Sequence, residues 1–284
     1  MEEAVKPVPP QVSVLIYSRN SEAALRRCLS ALEASKGRER FEVLVMDNGS
    51  RDGSQQIDAE FPGCTVLRMP RNFGWTRAMN IGMRTAVGEF VFFLDPTVEL
   101  ENGAIPALAA ALSAQPEATA VAPFLRDEAG APAPSIRVLP KPGNVWPEPA
   151  APPAVSEQVA VEFPNSAALL VRKGFIQGMN YIDQRYGHAF ADAEICYQIR
   201  RAGKKILFVP SAVGVWRSTE SLSHDTYEAD RVAGAATFLG KHFGFFAGFS
   251  FRLGAILRSF LSLRIGLAAS MLSGQKIDGT QGND

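Results

Sequence analysis

Short apolar, β-rich runs alternate with helix-period segments along the N-terminal part of this chain, and that alternation most constrains its fold. Residues 12–17 (VSVLIY) predict a buried strand. A polar turn over 18–21 leads into a helix carrying Leu25, Leu29 and Leu32 at helical spacing. The run 41–47 (FEVLVMD) predicts a second strand, closed by NGSRDGS, and a helix follows to about Glu60. Strand 64–69, a helix near 75–86, strand 89–95 (EFVFFLD) and helix 103–114 continue the series. This rhythm implies βαβ units and a mostly parallel sheet flanked by helices, an α/β Rossmann-like class.

In such sheets ligands bind outside the carboxyl ends of the strands. Polar clusters fall at those ends: Ser18 to Asn20, Asp47 to Ser54, Asn72 to Asn80, and Asp95 to Thr97. The placement is a functional signal drawn from pattern alone.

Composition narrows the partners. Lys+Arg and Asp+Glu number 29 each, so net charge offers no drive toward nucleic acid. Apolar residues make up 46% of the 284, enough for a sizeable core. Cys28, Cys64 and Cys196 are odd in number and far apart, which suits a reducing cytosol rather than a disulfide framework or zinc site. The acidic, proline-rich start MEEAVKPVPPQ lacks signal-peptide regions, and no run of about 18 uncharged apolar residues exists to span a bilayer. The chain is expected in the cytoplasm.

Residues 127–156 are rich in Pro and Ala and predict a long loop. Order resumes in a strand over 163–173, a helix from Asp192 to Ala202 stopped by Gly203, and a last core strand over 204–210. Asp47, Asn48, Ser50 and Asp52 crowd the end of the second strand. Asp47 is placed to accept hydrogen bonds from a base or ribose, while Asp52 suits a helix cap.

Four segments together resemble the family 2 inverting glycosyltransferases, in their rhamnosyl- and galactofuranosyltransferase-like branch. They are VSVLIYSRN (12–20), VLVMDNGSRDGS (43–54), RNFGWTRAMNIGMRTAVGEFVFFLDPTVEL (71–100) and DAEICYQIRRAGKKILFVPSA (192–212). The resemblance implies a GT-A fold, a nucleotide-diphosphate sugar donor and a glycan or lipid-linked acceptor. It places residues 1–225 in the transferase domain, with a donor half over 1–125, the loop over 126–160 and an acceptor half over 161–225. Tyr17, Asn20, Asp47, Asn48, Arg77, Asn80 and Asp95 become the expected nucleotide-sugar contacts, with Arg71 as a further source of charge for the diphosphate.

The chemistry behind that expectation is explicit. Charge grows on the departing diphosphate and needs a divalent cation or basic group. The acceptor hydroxyl must give its proton to a carboxylate on the opposite face of the sugar. The family holds Mg or Mn between two acids flanking one residue, and often a later histidine. Here Asp95 keeps the first acidic position, Thr97 stands at the second, and Trp216 stands where the histidine is usual. Asp95 read without the family is a turn residue before Pro96. The family's acidic pair opens the helix near 191. Here Ala191 replaces the first acid, Asp192 keeps the second, and Glu194 and Gln198 follow. Asp192 is the expected base with Glu194 as competitor. Read from position alone, Asp192 is equally an N-cap or first-turn acid.

Residues 226–284 are expected to be helical. No acid occurs between Arg231 and Ile277, while Arg231, Lys241, Arg252, Arg258, Arg264 and Lys276 are spaced among aromatic and aliphatic residues. The pattern suits helices lying on an anionic membrane surface on the inner face of the cell membrane. A hairpin packed on the core or on another protomer is the alternative. Two functional classes follow. Retained Asp47, Asp95 and Asp192 suit an active transferase. Thr97, Ala191 and Trp216 suit a weak or inactive relative binding nucleotide or glycan as a partner subunit. A nucleotidyltransferase would carry a glycine-rich loop after the first strand, and YSRNSEAA has no glycine.

Overall fold

A computed structural model describes residues 9–217 and 225–278. In chain order β1 (Val12–Ser18), α1 (Glu22–Glu33), β2 (Phe41–Asp47), β3 (Cys64–Arg68), α2 (Gly74–Thr85), β4 (Phe90–Leu94), β5 (Val98–Leu100) and α3 (Ala104–Ala114) come first. They are followed by β6 (Ala118–Arg126), β7 (Ile136–Arg137), β8 (Val159–Val161), β9 (Phe163–Pro164), β10 (Ala168–Arg172), α4 (Lys173–Gly178), α5 (Ala191–Arg201) and β11 (Lys205–Trp216). Helices α6 (Asp225–Phe243), α7 (Phe245–Leu261) and α8 (Ile265–Ser273) complete the described chain.

The described residues build a nine-stranded sheet in the order β3-β2-β1-β4-β10-β6-β11-β5, with β8 also on β11. Strands β1 to β4 pair in parallel, as their alternation with helices predicts. The sheet then turns mixed. Strand β10 runs antiparallel to both β4 and β6, and β5 and β8 run antiparallel to β11. The sheet is therefore less uniformly parallel than the sequence suggests, because β10 returns by a loop rather than a crossover helix.

Both sheet faces are covered. One layer packs α1 and α3 side chains such as Leu25, Leu29, Leu108 and Leu112 against Val14, Ile16, Phe92 and Leu170. The other buries Met79 and Met83 of α2, Ile195 and Ile199 of α5, and Phe238 of α6 against Leu15, Phe93 and Leu169. Two-sided burial is what makes β1, β2 and β4 read as continuous apolar runs. The segment Gly53–Ala59 is a 3₁₀ stretch broken at Gln56, not the regular helix expected there.

Helices α6, α7 and α8 pack on one another around Ala229, Val232, Ile256, Leu267 and Met271. The outer side of α7 stays bare: Phe246 is 81% and Leu261 87% exposed, with Phe249, Leu253, Leu257 and Phe260 also exposed along it. No helix among the described residues is long and apolar enough to cross a membrane. Several cations of the acid-free segment are spent inside the protein. Lys241 pairs with Glu194 and Asp183, Arg264 with Asp225 and Glu228, and Arg252 donates to the carbonyls of Met271 and Leu272.

Candidate active site

Ser18 and Asp47 are register partners at the carboxyl ends of β1 and β2, so the sheet itself sets the first two polar clusters side by side. Asp47 is 1% exposed and its Oδ1 is buried with no hydrogen-bond partner. Burial raises its pKa, and hydrogen bonds from Ser50 offset that in part. The Tyr17 hydroxyl accepts from Asn48 Nδ2 at 2.8 Å, and burial pushes its pKa up to about 12. It stays a neutral donor at any ordinary pH.

Asn48 acts as a brace. Its Nδ2 also donates to Asn72 Oδ1 at 2.6 Å, and its Oδ1 accepts from Phe73 N–H at 2.8 Å, which fixes the 70–73 turn over β2. Asn20 sits at the rim with φ 50°, where its side chain accepts from the Arg51 N–H at 2.8 Å. Asp52 caps two elements at once, accepting from Ser54 N–H at 3.1 Å and from Glu22 N–H at 3.0 Å. Burial works against its charge, but these donors prevail and hold its pKa low.

Farther along, Asn80 is buried and spends its amide on the backbone of Ile182 in both directions, at 2.8 and 3.1 Å. Arg77 donates to the carbonyl of Asp278 at 2.6 Å. That contact belongs to a strap formed by residues 275–278, which crosses the start of α2. The Ile277 N–H donates to Asp230 Oδ1 at 2.8 Å, and Lys276 Nζ to the Gln184 carbonyl at 2.8 Å. The other oxygen of Asp230 accepts from His188 and Ala189 N–H at 2.9 and 3.0 Å. Gly74, at φ 75°, admits the strap, since a Cβ there would lie 1.9 Å from the Ile277 oxygen. Burial lifts the pKa of Asp230 to about 6 despite its three backbone donors.

Asp95, Thr97 and Trp216 do come together, as a closed chain. Asp95 Oδ1 accepts from the Thr97 N–H at 2.9 Å and from its hydroxyl at 2.5 Å; the Thr97 oxygen in turn accepts from Trp216 Nε1 at 3.1 Å. This donor set does not fit a protein-held Mg or Mn. Those ions favour carboxylate and water oxygens, the indole has no lone pair to offer, and only one carboxylate stands here. Among the described residues no three His, Cys, Asp or Glu side chains gather as a metal group.

Helix α5 starts from Phe190 as its N-cap, at φ 68°, so Asp192 is a first-turn residue and not the cap. Its Oδ1 accepts from the Ala193 N–H at 2.8 Å and its Oδ2 from the Ser166 hydroxyl at 3.3 Å. Burial raises the Asp192 pKa, outweighing those donors and the nearby Arg137. A first-turn position alone would lower the pKa of a carboxylate, and here desolvation exceeds that field.

Glu194 points elsewhere. It is 0% exposed and accepts from Tyr186 at 2.8 Å, Gln198 at 2.8 Å, Lys241 at 2.7 Å and His242 at 2.6 Å. Burial disfavours its charge, but these donors overcome it and keep its pKa low. Gln198, one turn on from Glu194, is one of the four. His188, which showed no ligand spacing in the sequence, lies edge-on to Tyr17 and Tyr227 at 5.8 and 5.5 Å between ring centres. Burial drives its pKa down to about 4, so the ring is neutral. Asp230, Ser166 and Arg137 also escaped the sequence reading, because each reaches the cleft from a distant segment with no local motif.

The model of the glycosyl transferase family 2 matches residues 13–141. An N-acetylglucosaminyl-diphospho-decaprenol L-rhamnosyltransferase of Mycobacterium tuberculosis is 28% identical over 228 residues, covering 71% of this chain and 74% of that protein. An undecaprenyl-phosphate 4-deoxy-4-formamido-L-arabinose transferase of Aeromonas hydrophila is 35% identical over 104 residues, 34% of this chain and 32% of its own. Among solved structures, GalNAc-T7 with UDP, GalNAc and Mn2+ superposes with a TM-score of 0.66 at 17% identity, over 81% of this chain and 48% of that one. That likeness bears on the fold.

Proposed function

We propose that this chain, whose residues 13–141 match the glycosyl transferase family 2 and whose fold is that of a GT-A glycosyltransferase, transfers a sugar from a nucleotide-diphosphate donor to a glycan or lipid-linked acceptor by one inverting displacement. The observation that carries the reading is Asp192: a desolvated carboxylate with raised proton affinity, held by one backbone and one hydroxyl donor. It takes the acceptor proton as the acceptor oxygen attacks C1. Tyr17, Asn20, Asp47 and Asn48 form the nucleotide side, where the unpartnered Asp47 oxygen awaits a donor N–H or O–H. Arg77 and Asp95 remain candidates beside it, while Asn80 drops out, because its amide is spent on the Ile182 backbone and it lines the cavity shared with Glu194 and Lys241. Glu194 supports the helix that carries the base.

Metal dependence is proposed to be weaker than is usual in the family, because Asp95 stands alone among carboxylates and Thr97 is already tied to Trp216. The same closed chain favours a second reading, a relative that binds nucleotide without turnover. The bare apolar side of α7 is proposed to rest on the inner face of the cell membrane, near lipid-linked acceptors. With Lys241, Arg252 and Arg264 engaged internally, apolar burial rather than anionic lipid supplies most of that attachment.

The deciding experiment is release of nucleoside diphosphate from a panel of nucleotide sugars, offered with short glycan and lipid-phosphate acceptors. Turnover with any pair supports the transferase. Tight binding of UDP, dTDP or GDP without release favours the non-catalytic relative, and failure of all three to bind overturns the donor site. Flotation on neutral and anionic vesicles tests the membrane face.

A further inference from the structure

The reaction proposed above needs positive charge where the diphosphate departs, and the cluster around Asp95 supplies none. Arg19 follows directly on β1, between Tyr17 and the rim residue Asn20. It is more than half buried, and its Nε is shut off from solvent with no hydrogen-bond partner. Most arginines of this protein that are comparably covered are answered by an acid or a carbonyl: Arg38 by Glu33, Arg172 by three carbonyls, Arg217 by Glu99 and Glu128. Among the described residues no carboxylate pairs with Arg19 or with Arg71.

A guanidinium withdrawn from water with no counter-anion costs free energy that folding alone does not recover. Arg19 also keeps company of its own sign. It lines a cavity of about 360 Å³ together with Asn20, Ser50, Arg51, Gln55 and Arg71, and no acid lines that cavity. Arg71 is steadied over the Phe73 ring at 5.7 Å. The field of Arg19 reaches His188 and adds to the burial that keeps that ring uncharged, so the imidazole does not compete for an anion.

We propose that Arg19, seconded by Arg71, is the cation that receives the donor's diphosphate, in the role a bound metal plays elsewhere. The inference rests on the donor-site reading given above and assigns the charge within it. In the transfer step the acceptor O–H proton passes to the Asp192 carboxylate. The acceptor oxygen forms its bond to C1 as the bond from C1 to the phosphate oxygen breaks. The electron pair leaves on that oxygen, and the nucleoside diphosphate so formed carries one more negative charge than it did within the donor. Arg19 meets that charge with a planar fork suited to phosphate oxygens.

The test uses the full chain, with inorganic pyrophosphate and UDP as calorimetric probes, first in EDTA and then with Mn2+. Wild type is expected to bind pyrophosphate in EDTA, and Arg19→Gln to weaken that binding by about tenfold or more, the effect of removing one charge-assisted hydrogen-bonding group. Arg19→Lys should fall between, keeping charge without the fork, and Arg258→Gln, on the exposed side of α7, should match wild type. The Arg19→Gln protein should also melt no lower than wild type, because an unpaired, partly buried cation has been removed. If Arg19→Gln binds as wild type does, or if wild type binds only when Mn2+ is present, the arginine assignment is overturned while the donor site stands. If pyrophosphate binds under no condition this inference falls, and if UDP, dTDP and GDP all fail as well the donor-site reading falls with it.

Discussion

Around Glu194 each carboxylate oxygen has partners, whereas at the carboxyl ends of β1 and β2 Arg19 Nε and Asp47 Oδ1 have none. Both regions bury charge. They differ in whether the protein itself completes the hydrogen bonding. A closed network ties α5 to α6 and spends its binding capacity on the fold, while open groups keep theirs for something outside the chain. The two acids of α5 show the contrast two residues apart. Donors hold the Glu194 pKa low, and desolvation holds that of Asp192 high.

The contrast breaks most visibly at Asp192. Asp192→Asn keeps shape and removes proton affinity, so turnover is expected to fall by about 10²–10⁴-fold, with nucleotide affinity unchanged by calorimetry. A parallel loss of nucleotide affinity would make Asp192 a structural acid like its neighbour. Next in size is Glu194→Ala, which leaves Lys241 with Asp183 alone and strands the buried His242. A loss of roughly 3–5 kcal/mol in denaturant unfolding is expected, as for other broken buried ion pairs. A stable protein with abolished turnover would move Glu194 into the chemistry. Asp47→Ala should cost nucleotide binding roughly 1–3 kcal/mol, with a smaller fall in melting temperature from the lost hydrogen bonds of Ser50.

The smallest effect lies in pH, where two carboxylates act in opposite directions. Glu194 is held below its unfolded value, so its stabilisation is present at neutral pH and is lost on acidification through the folded pKa. Asp230 is raised to about 6, so its contribution is full below the ordinary aspartate range and is lost as pH rises through 6. Melting temperatures of Glu194→Gln and Asp230→Asn, each compared with wild type across mildly acidic pH, should therefore differ from wild type with slopes of opposite sign.

Much of this was legible in the chain. The strands β1 to β4 announce themselves because each is a dense apolar run ended by turn residues, and parallel strands covered on both faces must look like that. Asp47 and Asp95 were found by standing at such ends. Strand β6 (ATAVAPFLR) was not, since it is alanine-rich, holds Pro123 and follows α3 with little punctuation. Strand β11 runs on past Pro210 to Trp216 through a register shift between Val209 and Val213, where a proline ordinarily argues for an end. At the site, Asp192 came from its place in a motif. Arg19 and Asp230 could not, because one is singled out by the partner it lacks and the other by backbone groups more than forty residues away.

The strap over Gly74 has a practical reach. Residues 275–278 hold Arg77 and Asp230 through the Asp278 carbonyl and the Ile277 N–H, with Lys276 anchored to the Gln184 carbonyl, so a single cut in the peptide chain between α8 and Ile277 would release them. Susceptibility of that short stretch to a protease, followed by mass spectrometry as nucleotide is added, would serve as a label-free gauge of whether the cleft is filled.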